Sequence, residues 1–263
     1  MTAKVPKPHV SPRVLLLLGQ PDGQITQFHN QPAHWASLGS LLRACDARSR
    51  VVTDDIRILT PESLAKIDVI VNASTALRPS DREYFAIQSR IDAGAGYVGV
   101  HVANTVHLTS PNFLHAVDVA PPPRVSLSPT MSVRILSQVH PITAGLEDYD
   151  HDDNDEFYEI TGDFGDRPNL VTVREDCTLA TADGHPMVYV TTHGSGRVVF
   201  LASRHDRRSL DHPTFRTLFT RAVDWVSPLQ PLAKRHSMTD AVGTCPRPGR
   251  FRSGHRPERR GNQ

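Results

Sequence analysis

Short apolar segments alternate with amphipathic segments over the first hundred residues, and this alternation limits the possible folds more than any other feature. Val14–Leu18, Asp68–Asn72 and Tyr97–Val100 have strand length and are largely apolar, as expected for strands that are covered on both faces. Val51–Val52 is a candidate for a further short strand. The resulting β-α-β-α-β-α-β order predicts parallel strands joined by right-handed crossovers.

The predicted helices between these strands carry start and stop signals. Ala33–Ala47 has apolar residues at offsets of three, four and seven, which predicts one buried stripe. Thr60–Pro61 supplies an N-cap followed by proline at the first helical position. Ser80 and Glu83 match a capping box, and Gly94 is a typical place for that helix to stop.

The second half of the chain has weaker signals until its last hundred residues. We expect a helix at Asn112–Val117, a strand at Ser132–Leu136 and an acidic loop at Asp148–Glu156. Further on, Pro186–Thr192 and Arg197–Ala202 read as a β-hairpin around a glycine-containing turn. A final helix is predicted from its apolar spacing and the His-Pro at its start: His212, Pro213, Phe215, Leu218, Phe219, Ala222, Val223 and Val226.

Composition and charge suggest three regions. Hydrophobic residues make up 38% and charged residues 22% of the 263 residues, which is enough apolar material for a sizeable core and excludes general disorder. Residues 1–12 are proline-rich and are predicted to be a disordered lead-in, residues 13–230 one α/β domain, and residues 231–263 a disordered basic tail. That tail contains a single aromatic residue, so nucleic acid is not an expected partner.

The cysteine count and the hydropathy of the sequence indicate the cellular compartment of the protein. Three cysteines cannot all pair, and a chain of this size does not need a disulfide framework. The longest apolar run near the start is Val14–Leu18, far shorter than the about 18 residues of a membrane-spanning helix. We therefore expect a cytoplasmic protein with no membrane partner.

Ligands of open parallel sheets gather beyond the carboxyl ends of the strands, which directs attention to His101. His101 follows a glycine-flanked strand at the type of tight turn where α/β enzymes place a nucleophile. An imidazole there can shuttle protons or donate to a substrate oxygen, but it does not readily replace a thiolate. The alternative is a histidine that is buried under the following helix and bonded to backbone.

Three further segments bring candidate side chains toward the same edge. His205 and Asp206 follow the second hairpin strand, although Asp206 could instead cap the next turn. Asp155–Glu156 either directs a carboxylate into the cleft or belongs to a solvated acidic loop, and His29 follows the first strand. His and carboxylate side chains suit zinc, but no HExxH or paired CxxC is present, so no metal site is predicted and no cofactor is identified.

Four ordered stretches together resemble the trehalose-utilisation (ThuA-like) family: Tyr97–Ala103, His140–Leu146, Asp155–Tyr158 and Gly194–Asp206. The similarity runs from about Arg13 to Val226. The resemblance implies a flavodoxin-like three-layer α/β sandwich with a mostly parallel central sheet, related to class I glutamine amidotransferases.

The resemblance also carries functional expectations. His101 stands where the amidotransferase relatives have their cysteine nucleophile, and His205 falls near their catalytic histidine. It therefore implies a related cleft without thiol chemistry, one that is not a thiol amidotransferase and that serves the metabolism of trehalose or a related disaccharide or keto-sugar. A small carbohydrate is the expected ligand, and a homodimer is an expectation from symmetry statistics.

We assign roles as hypotheses. His101 and His205 would act as acid/base groups with Glu156, in proton abstraction beside a keto group or in hydration or isomerisation of a keto-sugar. Sugar-binding roles are assigned to His29, Asn104, Asp155, Tyr158 and Asp206. The alternative is a non-catalytic sugar-binding or regulatory module that has lost activity, because the stretch after Phe113 lacks a Gly-Gly-x-Phe and a His-Pro that the family tends to have.

Overall fold

The computed structural model describes residues 11–19, 31–45, 47, 49–74, 77, 79–104, 125–128, 131–151, 155–158, 178–182, 185–202 and 207–228. The strands in these ranges are β1 (Arg13–Leu17), β2 (Ser49–Thr53), β3 (Val69–Asn72), β4 (Gly96–Val100), β5 (Val125–Ser128), β6 (Met131–Ile135), β7 (Tyr149–His151), β8 (Asp155–Tyr158), β9 (Thr178–Ala182), β10 (His185–His193) and β11 (Gly196–Leu201). The helices are α1 (Gln31–Ala44), α2 (Pro61–Leu64), α3 (Asp81–Asp92), α4 (Arg207–Asp211) and α5 (Pro213–Val226), with 3-10 turns at Ile56–Ile58 and His101–Asn104.

Nine of these strands form one mixed sheet in the order β2-β1-β3-β4-β11-β10-β9-β6-β7. The pairings from β2 to β11 are parallel, and those from β11 to β7 are antiparallel. β5 and β8 form a separate antiparallel pair. The α/β class is as predicted, but the sheet is mixed and not mostly parallel, because the β10–β11 hairpin reverses direction and three antiparallel strands extend it.

The parallel half of the sheet is the core of the molecule. Every residue of β3 and β4 is buried, as are Val14–Leu17 of β1, because helices cover both faces of the strands. The predicted apolar stripe of α5 is entirely buried and packs over β4 and β11. Continuous apolar strands and a strong apolar stripe on a helix are the features that hydrophobic periodicity predicts best from sequence.

The predicted helix signals are present as hydrogen bonds. The Thr60 hydroxyl accepts from the Ser63 backbone N–H at 3.2 Å, and the Ser80 backbone N–H donates to the Glu83 carboxylate at 2.6 Å. Gly94 follows α3 with φ +106°, a conformation that favours glycine. The helices that connect the parallel strands therefore begin and end at the residues that the local sequence predicts.

The β10–β11 turn docks on the end of α3. His193 pairs with Gly196, and the His193 imidazole lies 2.9 Å from the Asp92 carboxylate. The Ser195 N–H donates to the Asp92 carbonyl at 3.0 Å, and Gly194 has φ +56°. A Cβ at Gly194 would lie 2.6 Å from Asp92 Cα, so glycine is required for this close approach.

One prediction from the middle of the chain needs correction. The expected acidic loop over Asp148–Glu156 contains strand β7 and the start of β8. β7 lies at the edge of the large sheet, where charged residues are tolerated: Ser132 donates to the Asp150 carboxylate at 2.6 Å, and the Ile135 N–H donates to Asp148 at 2.8 Å. The predicted helix at Asn112–Val117, residues 1–10 and residues 229–263 lie outside the described residues.

The amino ends of β1 and β3 are joined by a bidentate ion pair. Arg13 Nε and Nη2 donate to the two Asp68 carboxylate oxygens, each at 2.9 Å, and the Arg13 backbone N–H also donates to Asp68 at 2.9 Å. The side-chain hydrogen bonds from Arg13 hold the pKa of Asp68 below its ordinary range. This carboxylate therefore stabilises the fold in its ionised form.

We predict that Asp68→Asn lowers the melting temperature at pH 7 and that the difference from the parent protein narrows in acid. Because the pKa is lower in the folded chain, the stabilisation is full above the unfolded pKa and is lost as pH falls through the folded value. Thermal unfolding from pH 7 to pH 2 measures this. Glu147→Gln, an exposed carboxylate elsewhere, is the control, and a pH-independent gap for Asp68→Asn would contradict the prediction.

We also predict that Gly96→Ala destabilises the fold by about 2 kcal/mol, because it overpacks a closed contact. A Cβ at Gly96 would lie 2.5 Å from the Val226 carbonyl oxygen and 2.6 Å from Val226 Cβ. Gly39→Ala is the control, since its Cβ would meet nothing nearer than Arg43 at 4.0 Å and alanine favours helix α1. Urea denaturation compares the two, and equal stabilities would disprove the close approach.

Candidate functional site

The carboxyl ends of the parallel strands meet at one edge of the sheet, which we call the carboxyl rim. Register pairs Leu17 of β1 with Thr53 of β2 and with Asn72 of β3, and pairs Asn72 with Gly99 of β4. Val100 in turn pairs with Leu201 of β11. The residues just beyond the strand ends, which form this rim, are Asp54, Gly19, Ser74, His101 and Ala202.

His101 occupies a strained turn directly after β4. Its φ is +55°, and it is the one non-glycine residue of the described ranges with a positive φ. The side chain is 1% exposed, and Nδ1 lies 3.4 Å from the Ala202 carbonyl oxygen. A carbonyl oxygen only accepts, so Nδ1 donates in this contact in the tautomer that carries the proton on Nδ1. Both features considered from the sequence, a tight turn and a buried imidazole bonded to backbone, are present together.

A polar network beside His101 was missed by the sequence reasoning. Asn72, the buried last residue of β3, donates from Nδ2 to the Tyr97 hydroxyl at 3.1 Å. Its Oδ1 accepts from the Ser74 backbone N–H at 3.1 Å and from the Ser74 hydroxyl at 2.7 Å. Burial raises the pKa of Tyr97, so the phenol stays protonated. The available signal was Asn-Ala-Ser at the end of a short apolar strand.

The opposite end of the rim carries Gly19 and Asp54. The Leu18 N–H donates to the Thr53 carbonyl at 2.9 Å, which extends the β1–β2 pairing to the strand ends. Gly19 has φ +125°, and a Cβ there would overlap Asp54 Cβ. Asp54 itself is exposed. The rim therefore places an exposed carboxylate over a backbone that only glycine can form.

The other predicted site residues lie in the turn after β4, in β8 or outside the described residues. Asn104 ends the 3-10 turn that begins at His101. Asp155, Glu156 and Tyr158 lie in β8, which is paired with β5 and is not the loop that the sequence suggested. His29, His205 and Asp206 lie outside the described residues, so their predicted approach to His101 stays a prediction.

The His140–Leu146 stretch lies against α5, whose last residue meets Gly96 at the amino end of β4. The His140 ring centroid is 5.1 Å from that of Trp225, and its Nδ1 accepts from the Ile142 N–H at 3.2 Å. Burial, with a smaller contribution from the Arg197 charge, lowers the pKa of His140 to about 4. We interpret this histidine as part of the structural support of α5.

The described residues give no support for metal binding, thiol chemistry or a membrane-spanning helix. Within the described ranges, no group of three or more His, Cys, Asp or Glu residues is arranged to hold a metal ion. The Cys45 thiol is buried and donates to the Leu41 carbonyl, and burial raises its pKa to about 12, so it is protonated at neutral pH. None of the helices in the described residues combines the length and apolar character needed to cross a lipid bilayer.

The fold and rim define an α/β protein with a mixed sheet and a strained histidine turn at the carboxyl ends of its parallel strands. The family model for ThuA, trehalose utilisation, matches residues 16–226. The chain therefore belongs to the ThuA family, as the resemblance indicated. No protein with a curated description matches the chain.

Solved structures share this fold at low sequence identity. A ThuA-like protein from Bacteroides uniformis is similar with a TM-score of 0.67 and 17% identity, over 87% of this chain and 100% of that one. A ThuA-like protein from Parabacteroides merdae has a TM-score of 0.64 and 15% identity, over 82% and 90%. A cytoplasmic protein from Salmonella typhimurium has a TM-score of 0.57 and 14% identity, over 82% and 99%. At these identities the likeness establishes the fold alone.

We predict that His101→Gly is more stable than His101→Ala by about 1 kcal/mol, because a Cβ is disfavoured at positive φ. The two variants lose the same imidazole contact with Ala202, so their difference isolates the backbone conformation. Chemical denaturation of both variants measures it. An alanine variant as stable as the glycine variant would show that the turn is not in the left-handed region.

Proposed function

We propose that the protein binds a carbohydrate, trehalose or a related disaccharide or keto-sugar, at the carboxyl rim and that His101 acts there as an acid/base group. The observation that carries this proposal is the positive φ of His101 at the end of β4, between Ser74 and Ala202. A non-glycine residue in that conformation costs free energy, and such strain is concentrated at functional sites. The trehalose link of the ThuA family supports the ligand class.

The tautomer favours His101 as a base. With the Nδ1 proton directed at the Ala202 carbonyl, a neutral imidazole carries its lone pair on Nε2. Nε2 would remove a proton from the carbon beside a keto group, leaving an enediolate. His205, entering in its protonated form, would donate a proton to the former carbonyl carbon while the hydroxyl proton of the other carbon moves to the new alkoxide oxygen, which completes the isomerisation. Transfer of one proton from His101 to His205 would then restore both imidazoles.

The enclosure of His101 sets a condition on this mechanism. Because the side chain is 1% exposed, a sugar reaches it only when covering residues move aside. An enclosed base is shielded from water, which strengthens its electrostatic interactions with a bound substrate. The same enclosure also favours the second candidate, a non-catalytic sugar-binding or regulatory module in which His101 is structural.

The remaining assignments are part of the proposal. Glu156 would assist the two imidazoles, and sugar hydroxyls would contact His29, Asn104, Asp155, Tyr158 and Asp206. The parallel order β2-β1-β3-β4-β11 supports a flavodoxin-like core related to class I glutamine amidotransferases, here without a thiol nucleophile. We also propose that residues 13–230 form one domain and that the protein is a homodimer. A cytoplasmic location is proposed because two Salmonella typhimurium proteins of similar fold are described as cytoplasmic.

The deciding experiment combines product analysis with calorimetric titration, using trehalose and keto-sugars derived from it. We expect His101→Gln to lower turnover at least about a hundredfold, as for loss of an acid/base group, while sugar binding persists. The control is His193→Gln, which removes a partly buried imidazole at the β10–β11 turn, and it should retain turnover.

Three outcomes separate the hypotheses. Turnover that depends on His101 supports the enzyme. Binding without product in the parent protein would select the non-catalytic module. No binding of any of these sugars would overturn the carbohydrate proposal.

A further inference from the structure

Strand β2 forms one edge of the nine-stranded sheet, and its sequence is complementary to itself in the antiparallel direction. We propose that β2 pairs antiparallel with β2 of a second copy of this chain, centred on Val52, so that the two sheets join into one. This inference does not depend on the sugar site. It takes up only the homodimer of the proposed function and gives that dimer an interface.

The centre of β2 carries apolar side chains that are exposed to solvent. β2 pairs with β1 on its inner side, and on its outer side no strand of the described ranges pairs with it. Val51 is 38% exposed and Val52 is 42% exposed, whereas Val14–Leu17 of the neighbouring β1 are exposed by 2% or less. An exposed edge strand with an apolar centre is a template for pairing with another strand.

The direction of the backbone groups determines which residues can form hydrogen bonds across this edge. The Thr53 carbonyl accepts from the Leu18 N–H at 2.9 Å, so the backbone groups of Thr53 face β1. Because this direction alternates along a strand, Val51 also faces β1, and Arg50 and Val52 direct their N–H and C=O groups to the outer edge. Two such outward residues that lie opposite each other in an antiparallel pair exchange two hydrogen bonds. Val52 opposite the partner's Val52 meets this condition.

Centring the pair on Val52 also makes the side chains complementary. The segment reads Arg50-Val51-Val52-Thr53-Asp54, so antiparallel pairing places Arg50 opposite the partner's Asp54 and Val51 opposite the partner's Thr53. Two-fold symmetry makes each of these pairs occur twice. Opposite charges and β-branched residues directly across from one another stabilise antiparallel strands, whereas like charges destabilise them. The charges and the shapes along β2 therefore favour a second copy of the same strand as its partner.

The opposite edge of the sheet lacks this complementarity. β7 is three residues long, and its central residue Asp150 accepts from the Ser132 hydroxyl at 2.6 Å. The same pairing centred on Asp150 would place two carboxylates opposite each other, which is unfavourable. Short edge strands and charged edge residues are features that protect sheets from edge-to-edge association. Of the two edges of the sheet, β2 is thus the one that suits self-association.

The test is sedimentation velocity of the full chain over a dilution series. We expect the parent chain to reach the mass of a dimer as its concentration rises. Asp54→Arg brings like charges together at both symmetric positions and should weaken dimerisation at least about tenfold. The double variant Arg50→Asp with Asp54→Arg should restore the dimer, because each cross-strand pair again has opposite charges.

A second variant tests the interface without changing this charge pair. Val52→Lys should also produce monomers, because two positive charges meet at the two-fold axis. The control is Phe85→Lys, which replaces another exposed apolar side chain, on α3, and should leave the dimer unchanged. Circular dichroism of each variant verifies its fold.

The results distinguish this interface from the homodimer itself. If the parent chain is dimeric and both Asp54→Arg and Val52→Lys stay dimeric, the β2 interface is wrong while the homodimer stands. A parent chain that stays monomeric at every concentration overturns both. Loss of the dimer in Asp54→Arg without its return in the double variant overturns the register centred on Val52. Sugar binding is measured separately, so failure of the sugar site leaves this test unaffected.

Discussion

The structure depends on burial of both faces of its parallel strands. β1, β3 and β4 are apolar at almost every position, so each needs a helix on either side. The close fit at Gly96, where the backbone of α5 ends against the first residue of β4, shows how little space separates these layers. Because the strands are parallel, their carboxyl ends meet at one edge, and the polar residues that follow them are gathered there without any further device.

Much of the fold follows from local sequence. The apolar runs of β1, β3 and β4, the capping box at Ser80–Glu83 and the stripe of α5 each encode their element within a few residues. β9 and the β5–β8 pair are short and partly polar, and so lack the signals of a strand. The sequence of β7 indicates an acidic loop, because its position at the edge of the sheet, where charge is tolerated, is a non-local property.

The site was less predictable for the same reason. His101 could be selected because a glycine-flanked strand ends at it, and its positive φ agrees with a tight turn. The Asn72–Tyr97 hydrogen bond and the contact of Gly19 with Asp54 join different strands, so they depend on register that no single segment encodes. Local patterns identify which segments reach the rim, whereas the spacing between side chains comes from strand pairing.

Arg221 of α5 is hydrogen-bonded to the backbone of the His140–Leu146 turn, and this determines which substitutions the turn tolerates. Arg221 donates to the carbonyl oxygens of Ile142 and Ala144, at 3.3 and 2.8 Å, so it recognises backbone and not particular side chains. Replacements along the turn therefore leave this attachment intact. Main-chain anchoring of this kind depends on the backbone path of the turn and not on the chemistry of its side chains.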